Sequence, residues 1–464
     1  MWEVQKIFAK SMRKACRIHE MIKEIPRKIK NKIREKLYRA DYYEDLGTAV
    51  DYFKEHFNNN HRLFSLKLIK WNLKAFFKIY SSDSLQKENN NNKEAYEENA
   101  ESIFHDPDPG KLNIGFLLNG GLGDYVIAAN YIYCFYRKYK MPLMVVDIFF
   151  ERNPEAVDAL IDFPFVDQKV QMSNRKVYRS GINRKYDLFL DVNRFSKVRN
   201  KRIKRLNELH PDLFEFILNN ERFEFKNPRM SRSPQMDGQL GILSMLEGKN
   251  RIQQPDVNGI LNIEREFKFP LSIRCDEISY LSDVGLEKEK FVLINNDTDQ
   301  RYGSTANNKT WMPEYFGMLI SSIKEKYTNW KIVGIGLSNS VDEYLFDKSL
   351  FGETDYEQLK VLLKNAHLLI SAEGGLVHLR EALHGGTSVV LFGPTDPLLY
   401  GYEGNINLRG KGCAYPCEGF ITRQWATRCS NECKKACMWS LKPQMVMEAI
   451  EAFEKEKQKN KDTD

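Results

Sequence analysis

The chain predicts an α/β protein with strands in parallel sheets and helices covering both sheet faces. Two observations carry this expectation. An apolar strand runs through a glycine turn into an apolar-faced helix twice, from Lys111 to Phe135 and from Leu368 to Leu383. Buried-looking runs such as Phe291–Asn296 and Trp330–Gly336 also alternate with helical patterns, the signature of βαβ units.

Bulk properties bound the rest. At 464 residues and 42% hydrophobic, the chain can fill two or three domain cores. It contains no apolar run of spanning length, and Met1–Ala40 lacks a signal-peptide pattern, so a cytoplasmic location is expected. The net charge of +7 is regional: residues 1–80 hold 19 Lys plus Arg against 9 Asp plus Glu.

That first region has apolar residues at helical intervals, among them Ile25, Ile29, Ile33 and Leu37, and reads as basic helices. Such helices lie on an anionic membrane surface or pack as a layer on the protein or on another subunit, making a homo-oligomer. Nucleic acid is not expected, because no binding motif accompanies the charge. Residues 81–110 are polar and asparagine-rich and read as a linker.

Lys111–Asn119 is the first strong strand, and it leads into Gly120-Gly121-Leu122-Gly123-Asp124. The dinucleotide fingerprint is incomplete, since no third glycine follows at the required spacing. Asp124 falls at a helix N-terminus, where the dipole keeps a carboxylate ionised; it is a candidate general base or simply a carboxylate satisfying backbone donors. Strands follow near Met141–Phe150 and Tyr186–Val192, with a helix from Asn153 to Ile161. Between Ser173 and Arg205 there are 12 Lys plus Arg and only two acids, a patch suited to an anionic acceptor or a solvated face. A domain boundary is placed near residue 285.

In the second half, Asp297–Met312 is a polar loop containing Lys309 and Trp311, followed by a helix from Glu314. Leu368–Ile370 is broken by Glu373-Gly374-Gly375, which opens a helix bearing His378. Main-chain N–H groups at such a turn favour a phosphate. Five of the eight cysteines cluster as Cys413, Cys417, Cys429, Cys433 and Cys437. Two pairs separated by a loop can close a structural zinc or iron site, or they are buried free thiols.

The string from Ser371 to Pro397 resembles the C-terminal signature of the heptosyltransferase family, glycosyltransferase family nine. That signature is an acidic residue, Ser or Thr, Gly and, three residues on, His, followed by a Phe-Gly-Pro-Thr-x-Pro loop, here Phe392–Pro397. Glu373 stands in place of Asp, Gly374 in place of Ser or Thr, and Arg380 in place of a small residue. The Gly123-Asp124 turn and the Lys309-x-Trp311 element resemble two further family motifs.

The resemblance implies a GT-B fold, two Rossmann-like doubly wound parallel-sheet domains facing a cleft, behind an α-helical N-terminal extension. It implies residues 111–285 as the acceptor domain and 286–455 as the nucleotide-sugar domain. It also implies an inverting transfer of heptose or a related sugar from a nucleotide sugar such as ADP-heptose to a lipopolysaccharide or glycan hydroxyl, with no catalytic metal. Asp124 is then the base, and Gly123, Lys309, Trp311, Glu373, Gly374, Gly375 and His378 surround the donor. Such an enzyme would be cytoplasmic, peripheral on the inner face of the membrane, with an anionic glycan, lipid-linked or protein acceptor. The cysteine cluster resembles the iron–cysteine site of relatives that modify proteins. A protein O-heptosyltransferase and a catalytically silent assembly protein on the same scaffold remain as alternatives.

Overall fold

The computed structural model describes residues 104–140, 144–227, 237–296, 307–413, 416–418, 429 and 435–461. The basic helical region at 1–80 and most of the linker lie outside the described residues. From Phe104 onward the supposed linker is docked on the first sheet. Phe104 packs on Phe149 at 6.0 Å, the His105 N–H donates to Gln168 at 3.0 Å, and Asp106 pairs with Lys185.

The first half is built around β1 (Leu112–Leu118), buried at every position because helices cover both faces of its sheet. The chain continues through α1 (Leu122–Tyr139), β2 (Met144–Phe150), α2 (Pro154–Leu160), β3 (Val166–Gln171), α3 (Asn174–Ser180), β4 (Leu188–Val192) and β5 (Lys197–Lys201). The strand order is β3-β2-β1-β4-β5. All pairs are parallel except β4 with β5, which is antiparallel. This edge departs from the all-parallel expectation because the short Asn193–Ser196 loop cannot carry a crossover.

Helices α4 (Ile203–Leu209), α5 (Pro211–Lys226), α6 (Asp237–Leu246) and α7 (Glu277–Asp283) lead to the second half. There β6 (Lys290–Asn295), α8 (Pro313–Lys326), β7 (Trp330–Gly336), β8 (Lys348–Phe351), α9 (Tyr356–Asn365) and β9 (Leu368–Ala372) come first. They are followed by α10 (Gly375–Ala382), β10 (Ser388–Phe392), α11 (Pro397–Tyr400), β11 (Ile406–Arg409), α12 (Ala436–Trp439) and α13 (Pro443–Lys461). The sheet is parallel throughout, in the order β11-β10-β9-β6-β7-β8.

Each sheet changes winding direction once, at β1/β4 in the first half and at β6/β9 in the second. Ligands of open α/β sheets bind outside the strand ends at such points. The residues following β1 and β9 are the two glycine turns, so the topology carries both to switch points.

The halves share apolar packing. One cluster runs from Phe116 and Phe135 through Leu281 and Leu286 to Leu362 and Leu379. A buried lysine reinforces it: Lys360 Nζ on α9 donates to Ala159 O of α2 at 3.2 Å and to Ser272 O at 2.6 Å, and pairs with Glu357 at 2.8 Å. Truncating one partner of a buried pair costs roughly 3–5 kcal/mol. Lys360→Ala is therefore expected to lower the urea midpoint by that equivalent without changing the slope of the transition; a variant with the wild-type midpoint would show that the lysine joins nothing.

Candidate active site

The first turn is shaped by Gly120. Its φ of +115° suits glycine, and a Cβ there would lie 2.0 Å from Asp124 Oδ2. Asp124 sits in the first turn of α1, where Oδ2 accepts the Gly121 N–H at 3.0 Å. Its other oxygen, Oδ1, accepts from Arg251 Nη2 at 2.9 Å. The Asp124 side chain remains 35% exposed, whereas Arg251 is fully enclosed. Partial burial pushes the Asp124 carboxyl up, but Arg251, Arg194 and the Gly121 N–H together hold it below its ordinary value.

The second turn follows β9. Glu373 is buried and takes Lys309 Nζ on Oε2 at 2.5 Å, while His378 Nε2 lies 3.8 Å from Oε1. Burial opposes the Glu373 charge, but Lys309 and then His378 hold its carboxyl below the ordinary range. His378 Nδ1 lies 2.5 Å from the Tyr402 hydroxyl. With Nε2 facing an ionised carboxylate, the ring proton belongs on Nε2 and Tyr402 donates to Nδ1. Burial lowers the His378 pKa to about 4 despite Glu373, so the ring is neutral at pH 7.

The two turns meet. A Cβ on Gly123 would lie 2.6 Å from His378 Cδ2 and 3.3 Å from Gly375 Cα; one on Gly375 would lie 2.9 Å from Leu122 Cβ and 3.0 Å from the Gly123 N. These two glycines let the N-termini of α1 and α10 touch through backbone. Their neighbours face space: a Cβ on Gly121 would meet nothing within 4 Å, and one on Gly374 only Ala372 O at 3.9 Å. Two helix N-termini with free main-chain donors thus border one opening, a setting that attracts an anion.

Side chains from both halves frame this point. Arg194, in the β4–β5 loop, pairs with Glu418 at 2.5 Å and contacts the Tyr400 hydroxyl, which itself donates to Glu418 at 2.7 Å. On the far side of the first turn, Asn119 donates to Asp191 at 2.6 Å and bonds Asn174, the first residue of α3. Arg175, Lys176 and Arg179 of α3 are exposed, so the basic stretch seen in the sequence adjoins the Gly120–Gly121 side of the opening. Elsewhere in that stretch Arg199 is spent on Asp191 at 2.8 Å, and Arg205 on Asp187 at 3.0 Å.

Of the residues singled out from sequence, the structure brings Gly123, Asp124, Lys309, Glu373, Gly374, Gly375 and His378 together. Trp311 does not join them. It is 1% exposed, donates its indole N–H to Leu441 O at 2.8 Å, and packs edge-on against Phe316, so it is a core residue instead of a donor contact. Arg380 is likewise structural: its guanidinium donates to Leu363 O, Ala366 O and Gly386 O, neutralising the C-terminal end of α9.

Cys413, Cys417 and Cys437 are buried and Cys429 is half-buried, while Cys433 lies outside the described residues. Burial pushes the Cys437 thiol up to about 11, with Cys413 and Cys429 close enough to add to it. Among the described residues no group of three or more metal-binding side chains is gathered, so the described thiols alone do not make a site.

Reasoning from sequence missed Arg251, Tyr400, Tyr402 and Glu418. Arg194 lay inside the flagged basic stretch. Arg251, Tyr402 and Glu418 sit in aperiodic segments and Tyr400 ends the four-residue α11, so nothing local distinguishes these buried polar groups from solvated ones.

No family model matches the chain, and no curated protein matches it. Solved structures do. The iron-containing dodecameric glycosyltransferase TibC from enterotoxigenic E. coli is 12% identical, with 75% of this chain and 77% of that one covered and a TM-score of 0.50. E. coli ADP-heptose LPS heptosyltransferase II is 15% identical over 73% of this chain and 98% of its own, at 0.45. A family nine glycosyltransferase from Veillonella parvula is 14% identical over 73% and 96%, at 0.46. The fold, two largely parallel α/β regions, is shared with TibC.

Two outcomes follow from the geometry. His378 is buried neutral, with a folded value near 4 against an unfolded value of about 6.5. Between those values the unfolded chain binds the extra proton, so stability is full above pH ~6.5 and falls as the pH drops toward 4. Urea midpoints across this window should show that slope, and His378→Gln should flatten it; an unchanged slope would remove His378 from the account. Trp311→Phe loses one buried hydrogen bond, about 1 kcal/mol of stability, and should leave ADP affinity by calorimetry unchanged. A fall in affinity would restore Trp311 as a donor contact.

Proposed function

We propose that this protein is an inverting glycosyltransferase that moves a heptose or related sugar from an ADP-sugar to an acceptor hydroxyl. The observation that carries the reading is the meeting of the two turns, which sets Asp124 of one half beside the phosphate-seeking turn of the other. In this reading the donor diphosphate lies over Gly374 at the start of α10, with Lys309 beside it. Glu373 holds Lys309 in place, so the lysine contributes its charge there.

Asp124 keeps one lone pair on each oxygen beyond those used by Gly121 and Arg251. It accepts the proton of the acceptor hydroxyl as that oxygen bonds to the anomeric carbon. The bond from that carbon to the β-phosphate oxygen breaks, and ADP leaves with the electron pair. Direct displacement inverts the anomeric centre. Charge on the leaving diphosphate is met by main-chain donors, the helix dipoles and Lys309, so the step as drawn needs no divalent metal.

The exposed basic residues of α3 suit an anionic acceptor such as a lipopolysaccharide core or lipid-linked glycan. A protein acceptor is the second reading, favoured by the sequence clustering of Cys413, Cys417, Cys429, Cys433 and Cys437, which resembles the iron–cysteine site of relatives that modify proteins. Location at the inner membrane face, membrane contact through residues 1–80 and homo-oligomer formation belong to the same proposal. No helix among the described residues is long and apolar enough to cross a membrane.

The test is a thermal-shift panel of nucleotide sugars followed by donor turnover. ADP-heptose should raise the melting temperature, since a ligand binding only the folded state stabilises it by mass action. Asp124→Asn should keep that shift while losing about 1,000-fold in turnover. Absence of a shift with every nucleotide sugar would leave a scaffold without transferase activity.

A further inference from the structure

Arg251 lies between α6 and α7, and its placement couples three elements. Its main-chain N–H donates to Leu399 O of α11 at 2.7 Å, tying its segment to the second half. The neighbouring contact is tight: a Cβ on Gly241 of α6 would lie 2.8 Å from Leu399 Cδ2. The side chain turns the other way and reaches Asp124 on α1. It does so from full burial, at 2% exposure, and its Nη1 finds no hydrogen-bond partner among the described residues.

A buried guanidinium with one partly exposed carboxylate partner is costly, and such an arrangement persists where it does something besides stabilise. We propose that Arg251 is a positioning residue that fixes the Asp124 carboxylate relative to the donor-binding half of the molecule. The inference rests on the reading of Asp124 as the base. Without Arg251, an aspartate in the first turn of a helix keeps one anchor, the Gly121 N–H, and can swing about χ1. With it, each oxygen is held by a separate donor, and the second donor is itself bonded to α11. Arginine suits the task because it stays charged at every working pH and its planar fork fixes direction as well as distance. The cation also weakens Asp124 as a base, so the arrangement favours placement and ionisation over proton affinity.

The test uses the full chain and ADP-heptose turnover over a pH series. Arg251→Gln should lower kcat roughly 100-fold, the scale of a 1 Å misplacement, with the donor KM nearly unchanged. The acidic limb of kcat/KM should move to higher pH, because the carboxyl loses the cation beside it. Arg251→Lys, which keeps the charge without the fork, should leave that limb in place while recovering only part of kcat. An unchanged kcat, or a loss equal at every pH with the limb unmoved, would overturn the proposal and leave Arg251 a packing residue. If wild type turns over none of the nucleotide sugars, the transferase reading fails separately. The hold on Asp124 is then decided by the double-mutant cycle of Asp124→Asn with Arg251→Gln in urea: non-additive midpoints support it, additive ones reject it.

Discussion

The contact between Gly123 and Gly375 is the constraint on which the site depends. Each glycine has the other half of the molecule where its side chain would be, so the N-termini of α1 and α10 come into direct contact, backbone included. Two helix N-termini brought so close would repel through their dipoles if nothing intervened. Carboxylates from both turns intervene. Asp124 satisfies a donor at the start of α1, and Glu373 stands just before α10, so each positive end has an acid beside it.

Those acids are in turn matched by cations from their own halves. Asp124 takes Arg251 and feels Arg194, while Glu373 takes Lys309. Beside them an ion pair, Arg194 with Glu418, crosses between the halves, and the Arg251 main-chain N–H adds a second tie to Leu399 O. Asp124, Arg194, Arg251, Lys309 and Glu373 come from five separated segments, so no local stretch of sequence contains more than one of them. The crossing pair fixes the relative position of the halves more sharply than apolar packing, because a shift of an ångström leaves the buried Glu418 without its partner. The shared core and Lys360 resist separation, and the Arg194–Glu418 pair sets register.

How legible this was depends on the range of the signal. The alternation of apolar strands with helices exposed both sheets, and Gly120–Asp124 and Glu373–His378 exposed both turns, because strand, turn and helix onset are local events. The antiparallel β5 was not legible, since its sequence, Lys197–Lys201, is charged and sits on a sheet edge. Trp311 misled for a related reason. A tryptophan beside a loop lysine reads as a ligand contact, but the turn closed by the Thr310 N–H on Asn307 O reverses the chain there, so Lys309 meets Glu373 while Trp311 enters the core toward Leu441. Arg251 offered no pattern at all, being one charged residue in a segment with neither helical nor strand period. Its importance comes from a partner 127 positions away in the chain.

The balance of charge bears on what the opening can accept. With Asp124 and Glu373 ionised and Arg251 and Lys309 cationic, the side chains nearly cancel, and the uncompensated positive character left is that of the helix ends and of Arg251 Nη1. A diphosphate entering over Gly374 would meet that residual field without a large side-chain rearrangement, since the donors are main-chain and already fixed. A neutral sugar would gain nothing from the field. An isolated cation would compete with Arg251 and Lys309 for the same two acids. On the proposed reading, selection for an anionic ligand would be a property of the backbone, and a glycine at 374 would be compatible with it, since a Cβ there would meet only Ala372 O at 3.9 Å.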